Sequence, residues 1–236
     1  MQSENTPRIT IAIDGYSSSG KSSMAKSLAK TLGYEYVDTG AMYRAVTLYA
    51  MRHNMINADG NVDTAAIITA LPLIDIHFKR MADGSQHTYL NDEDVENPIR
   101  HLDVSSHVSA VAAIPEVRHD LVKKQQAFGK EKGIVMDGRD IGTTVFPDAE
   151  LKIFVTASAQ TRAQRRVKEL IEKGVPTSFE EVFANVIHRD HIDETRAESP
   201  LRKADDALVL DNSTMSIEEQ NRWLIEHFNE CISNLK

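Results

Sequence analysis

Cysteine is almost absent from this chain: Cys231 is the only one among 236 residues. No disulfide framework can form within it, and a reducing, cytoplasmic setting is the default expectation. Basic residues are in deficit, with 27 Lys and Arg against 35 Asp and Glu, a formal charge of -8 and a pI near 5.6. That balance argues against nucleic acid or an anionic membrane as partner, although a local cluster of arginines suffices for an anionic small molecule. No apolar run approaches the roughly 18 residues that a membrane helix needs, and Met1 to Pro7 hold no apolar export core. Internal repeats and low-complexity tracts are missing too. The nine histidines show no metal spacing, His188 with His191 reading as a surface pair. At 41% hydrophobic content, the chain supports one core with at most a small insert, and a monomer is expected.

What the chain does hold is Gly15-Tyr16-Ser17-Ser18-Ser19-Gly20-Lys21-Ser22, which fits the spacing G-x-x-x-x-G-K-[ST]. Before it, Arg8 to Ile13 is a short β-branched apolar run suited to a buried parallel strand. After it, Met24, Ala25, Leu28, Ala29 and Leu32 recur at helical spacing, and Gly33 supplies the stop. Strand, glycine loop and helix in that order build an anion cradle. The loop N–H groups turn inward, and the helix N-terminus adds partial positive charge. Lys21 is expected on the β- and γ-phosphates, with the Ser22 hydroxyl helping to hold Mg2+.

A second strand and helix follow, over residues 34–38 and from Thr39 to about residue 51. Thr39, Tyr43 and Arg44 read equally as a phosphate and sugar contact or as an N-cap threonine beside a surface arginine. From Ile74 the pattern alternates, turns at Ala82-Asp83-Gly84-Ser85, and alternates again to an acidic turn at Asn91-Asp92-Glu93-Asp94. This predicts a β-hairpin, either an insert with its own task or a plain flap. Residues 104–128 read as helix broken at Pro115, presenting Ser109 and Arg118. The strand over 133–137 ends in Asp137-Gly138-Arg139-Asp140, at the end of a parallel strand where ligands sit. Asp137 would support Mg2+ through water and Arg139 and Asp140 would face the phosphate loop, unless Asp-Gly is simply a turn.

Residues 151–155 and 207–211 are the remaining buried strands. Between them Arg162, Arg165, Arg166 and Lys168 either close over a triphosphate or form a solvated face with an Arg165–Glu169 pair, the second reading being preferred. Arg189, Asp193 and Arg196 share one helix face, fitting a ribose and a phosphate or an internal ion-pair ladder. Ser178 with Glu181, and Ser216 with Glu219, form capping boxes.

Together these segments resemble the bacterial-type cytidylate kinases of the nucleoside monophosphate kinase family, from about Ile9 to the last helix. The likeness rests on Gly15 to Ser23, on Asp38 to Arg44, and on Ser109 to Ala113 with Pro115 and Arg118. It rests equally on Asp137 to Thr143, Val145 to Ala149, and Arg189 to Arg196. It implies an α/β fold of P-loop NTPase type, a parallel five-stranded sheet flanked by helices. One kinase domain would span 1–236, with a hairpin-containing monophosphate-binding insert at 71–98 and a short helical lid at 158–200. The implied reaction is phosphoryl transfer from ATP to CMP or dCMP, with Mg2+. By the same likeness Gly15, Tyr16, Ser17, Ser18, Ser19, Gly20, Lys21, Ser22 and Ser23 bind ATP. Thr39 and Tyr43 line the CMP site, Arg44 and Arg139 hold its phosphate, and Ser109, Arg118 and Asp140 read the cytosine. Arg189, Asp193 and Arg196 serve the ribose and the transferring phosphate. Lys21, Arg139 and Arg196 are the catalytic residues so implied, and Ser22 and Asp137 those at the metal. Tyr16-Ser17-Ser18-Ser19, Thr39, Ile192 and Glu194 depart from the family's usual residues.

Two other readings compete: another small-molecule P-loop kinase, acting on UMP, shikimate or dephospho-coenzyme A, and a nucleotide-binding switch. The hairpin and the Ser109, Arg118 and Asp140 set favour a nucleotide acceptor. No Asn-Lys-x-Asp guanine motif occurs, and a switch has no need of a second arginine-lined site.

Overall fold

The computed structural model describes residues 7–235 apart from 84 and 173. The expected turn glycine Gly84 and the expectation for residues 1–6 lie outside the described residues. The chain divides into two compact units, one of Met1–Val37 with Gln126–Lys236 and one of Asp38–Gln125.

The first unit opens with β1 (Thr10–Gly15), α1 (Lys21–Leu32) and β2 (Glu35–Asp38). The second unit then holds α2 (Thr39–Arg52), α3 (Thr64–Ala70), β3 (Ile76–Arg80), β4 (Gln86–Leu90), β5 (Glu93–Asp94), α4 (Leu102–Ala112) and α5 (Pro115–Phe128). The chain returns through β6 (Ile134–Gly138), β7 (Leu151–Thr156), α6 (Ala159–Glu172), α7 (Phe179–Thr195), β8 (Leu208–Asp211) and α8 (Ile217–Asn234).

In the first unit the five-stranded sheet has the order β2-β6-β1-β7-β8. Central β1 pairs in parallel with β6 and β7, and β7 with β8, as the sequence predicts. β1 and β6 are buried along their whole length, which is why they read as unbroken apolar runs rather than as alternation. Ile11, Ile13, Val135, Ile153 and Val155 pack with Leu28 of α1 and with Leu224, Phe228 and Ile232 of α8. β8 differs from expectation: only Leu210 is buried, with Leu208 37% and Val209 52% exposed. It is an edge strand, with one neighbour to cover it. α6 and α7 pair through their own apolar cluster of Ala163, Leu170, Val182 and Val186, and both capping boxes form.

In the second unit the hairpin pairs Ile76 with Leu90 and Arg80 with Gln86. The stretch expected to be only an acidic turn also forms a third strand, with β5 pairing Leu90 to Glu93. α3 had no counterpart in the sequence expectations, seven residues being too few for a clear period. The helix break falls where Pro115 sets it, between α4 and α5.

Candidate active site

The loop between β1 and α1 is built as an anion cradle. Gly15 has φ +149°, and a Cβ there would lie 2.1 Å from the Val155 carbonyl oxygen, so only glycine lets the loop pass β7. Gly20 at φ 87° and Ser18 at φ 58° supply further left-handed turns. The α1 N-cap is Gly20, which makes no side-chain cap, so the first N–H groups of the helix suit an anion held by the loop. Lys21 is buried, its Nζ donating to Tyr16 O at 3.0 Å across the loop. The Ser19 hydroxyl is buried and makes no hydrogen bond within the described residues. Ser23 is exposed.

Beside this loop β6 delivers Asp137. Its Oδ2 accepts from Ser22 Oγ at 2.7 Å, and its Oδ1 from the Tyr36 hydroxyl at 2.7 Å. Hydroxyl and carboxylate are the hard oxygen donors that Mg2+ prefers. Among the described residues no group of three or more His, Cys, Asp and Glu side chains can hold a metal.

Beyond β6 the chain brings a second charged cluster together. Arg139 Nε donates to Asp193 Oδ2 at 2.8 Å, and Arg196 Nη1 lies 3.6 Å from Asp193 Oδ1. Arg196 Nη2 lies 4.0 Å from Asp140 Oδ1, and the same guanidinium donates twice to Ser199 O. Burial would raise the Asp193 pKa, but Arg139, with Arg196 and Arg189 behind it, holds it below the usual carboxylate range. Asp193 and Arg196, three positions apart, meet as an ion pair, and Arg189 adds its charge to the same carboxylate. Desolvation would lower the Arg139 pKa, yet the Asp193 carboxylate keeps it raised.

Two residues were undervalued in the sequence. Arg162, read chiefly as a solvated face, is 4% exposed and makes a bidentate pair with Asp190 at 3.0 and 2.6 Å. Its guanidinium also donates to Ser17 O, within the phosphate loop, and lies 4.9 Å from the Tyr16 ring. Arg165 donates to Asn212 Oδ1 and O rather than heading the expected pair, while Glu169 accepts from Arg166. Asp14, the residue before Gly15, carried no sequence signal at all. Burial pushes its carboxyl up to about 7, against the pull of the Gly142 and Ile141 N–H groups it accepts from.

The second unit holds the other expected residues. The N-cap of α2 is Asp38, which accepts from Ala41 N at 2.9 Å, so Thr39 is the first helical residue and not the cap. Asp38 also pairs with Arg100 at 2.9 Å. Burial alone would raise its pKa, but the Arg100 and Arg44 guanidiniums hold it down at about 2. Arg118 is 1% exposed, with Cζ 5.4 Å from the Tyr43 ring centroid and Nη1 donating to Ala112 O at 3.2 Å. Ser109 and Thr39 are buried and Arg44 half-buried. Arg100 was absent from the expected set, because its partner Asp38 lies 62 positions earlier (100 − 38).

Among known proteins, the family model described as Cytidylate kinase matches residues 11–230. A cytidylate kinase of Phocaeicola vulgatus is 60% identical over 227 residues, 96% of this chain and 99% of that protein. One of Parabacteroides distasonis is 58% identical over 228 residues, again 96% and 99%. A solved structure of an uncharacterized protein from Eubacterium ventriosum covers 95% of this chain and 99% of its own, at 11% identity and a TM-score of 0.50, a likeness of fold alone.

Proposed function

The chain belongs to the cytidylate kinase family, and we propose that it transfers the γ-phosphoryl group of ATP to CMP and dCMP, giving CDP and dCDP. The observation that carries this reading is the second cationic cluster. Arg139 and Arg196, locked around Asp193, stand in the same compact unit as the phosphate loop. One anion cradle suits a nucleotide-binding protein, whereas two suit a transferase that brings two anions together.

In this reading Gly15 to Ser23 enclose the donor phosphates with backbone N–H groups, and Lys21 leaves the Tyr16 carbonyl for the β- and γ-phosphates. Ser22 and Asp137 would hold Mg2+, which when bound neutralises charge on those phosphates. Asp137, already engaged by Ser22 and Tyr36, would act through water. Arg44 and Arg139 take the CMP phosphate, with Thr39 and Tyr43 lining its site. Arg189, Asp193 and Arg196 serve the ribose and the transferring group. Each charge-assisted contact in a water-excluded site is worth about 1.5–3 kcal/mol, enough for four or five of them to offset the repulsion of the two substrates. The nucleophile is a phosphate oxygen already ionised near neutral pH. No general base is therefore needed.

Base choice follows from donor and acceptor order. Asp140 would accept from the cytosine N4 amino group, and Arg118 with Ser109 would serve its acceptor edge, whereas uracil reverses both positions. The 71–98 hairpin serves as part of the monophosphate site, and α6 with α7 as a lid that excludes water and so suppresses ATP hydrolysis. With γ-labelled ATP, Mg2+ and CMP, the label should appear in CDP. Label released as inorganic phosphate, at a rate indifferent to CMP, would contradict the reading.

A further inference from the structure

Asp140 occupies the N-cap position of the helical turn Ile141–Val145, where an aspartate ordinarily accepts from the N–H groups just ahead of it. That cap is not made by Asp140; it comes from another strand. Asp14, on β1, accepts from Ile141 N through Oδ1 at 2.7 Å and from Gly142 N through Oδ2 at 2.8 Å. Its side chain is buried, and its register partner on β6 is Gly138, the residue before Arg139. The fit is close: a Cβ at Gly142 would lie 3.4 Å from Asp14 Oδ2 and 3.1 Å from the Lys152 stem. The Asp140 carboxylate faces Arg196 instead.

We propose that Asp14 is a positioning residue for acceptor specificity, capping the 141–145 turn from β1 so that the Asp140 carboxylate stays directed at Arg196 and at the base. The inference rests on the reading that Asp140 accepts from the cytosine amino group. Only a carboxylate presents an acceptor to both N–H groups. Asparagine offers one and sets an NH2 against the other, so the vacated cap draws Asp140 back onto its own turn.

The test is kcat/KM for CMP and for UMP at saturating Mg-ATP in wild type, Asp14→Asn, Asp140→Ala and the double variant, with KM for ATP and thermal unfolding alongside. Asp14→Asn should lower the CMP/UMP ratio by about tenfold or more while KM for ATP moves less than about threefold. Because one residue acts through the other, the double variant should fall no further than Asp140→Ala alone. A ratio unchanged by Asp14→Asn but lowered by Asp140→Ala overturns the inference and leaves the base reading standing. A ratio unchanged by both overturns the two together, and losses that add in full in the double variant overturn the inference alone. If Asp14→Asn fails to fold, Gly142→Ala presses on the same carboxylate from the turn side. It should lower the ratio in the same direction, and an unchanged ratio there counts against the inference.

Discussion

Replacing Arg162 with alanine should destabilise the protein by about 3–5 kcal/mol, the range for stranding one member of a buried ion pair. The guanidinium donates twice to Asp190 and once each to the carbonyls of Ala157 and Ser17. Side-chain exposures of 4% and 12% put both charges of the pair out of bulk water. Alanine leaves the Asp190 carboxylate buried without this cation and two carbonyls without these donors, a far larger loss than the roughly 0–1 kcal/mol of a surface pair. At about 2–4 °C per kcal/mol for a chain of this length, Tm should fall by about 6–20 °C. Urea unfolding followed by circular dichroism measures the free energy directly. The double variant Arg162→Met, Asp190→Leu should recover most of the loss, since apolar volume can replace a buried pair at little cost. Because the Ser17 carbonyl belongs to the phosphate loop, KM for ATP should rise in the alanine variant as well. A loss below about 1 kcal/mol, or a double variant no better than the single, would refute the stranded-charge reasoning.

Four further outcomes are expected. Lys21→Ala should lower turnover by at least about 10^2 in a protein that still folds, through lost transition-state stabilisation; near-normal turnover in a folded variant would mean the loop is misread. Gly15→Ala should abolish ATP binding, because its Cβ would meet the Val155 carbonyl oxygen at 2.1 Å; calorimetry showing wild-type affinity would contradict the geometry. Asp38, lowered from 3.8 to about 2 in the folded protein, binds fewer protons folded than unfolded. It therefore contributes about 2 kcal/mol above pH 4, lost as pH falls from about 4 to 2, and Arg100→Ala should flatten that part of the stability profile. Asp14 has the opposite sign. Raised from 3.8 to about 7, it favours the folded state progressively more as pH falls through that window, and Asp14→Asn should remove the trend.

The phosphate loop, the hairpin and the helix break at Pro115 were legible because each is written in adjacent residues. Glycine spacing, alternation of period two and a missing N–H need no knowledge of the rest of the chain. β5 was missed because two residues carry no period. β8 was misjudged because an apolar run looks alike in a central and an edge strand, and only the sheet order tells which it is. Arg162 was undervalued for a related reason: its partner Asp190 sits on the next helix, 28 residues on, so a local reading sees only a charged face. Asp14 and Arg100 left no trace at all. One caps a turn 127 residues away and the other pairs across most of the second unit, and neither spacing corresponds to a turn of helix or a step of strand.

Acceptor identity is measured most directly as kcat/KM with Mg-ATP for CMP, dCMP, UMP, AMP and shikimate, identifying the phosphorylated product of each. Fast formation of CDP and dCDP, with UMP far behind and no transfer to AMP or shikimate, is the predicted result. Comparable turnover of UMP and CMP, or nucleotide binding without transfer to any acceptor, would contradict it.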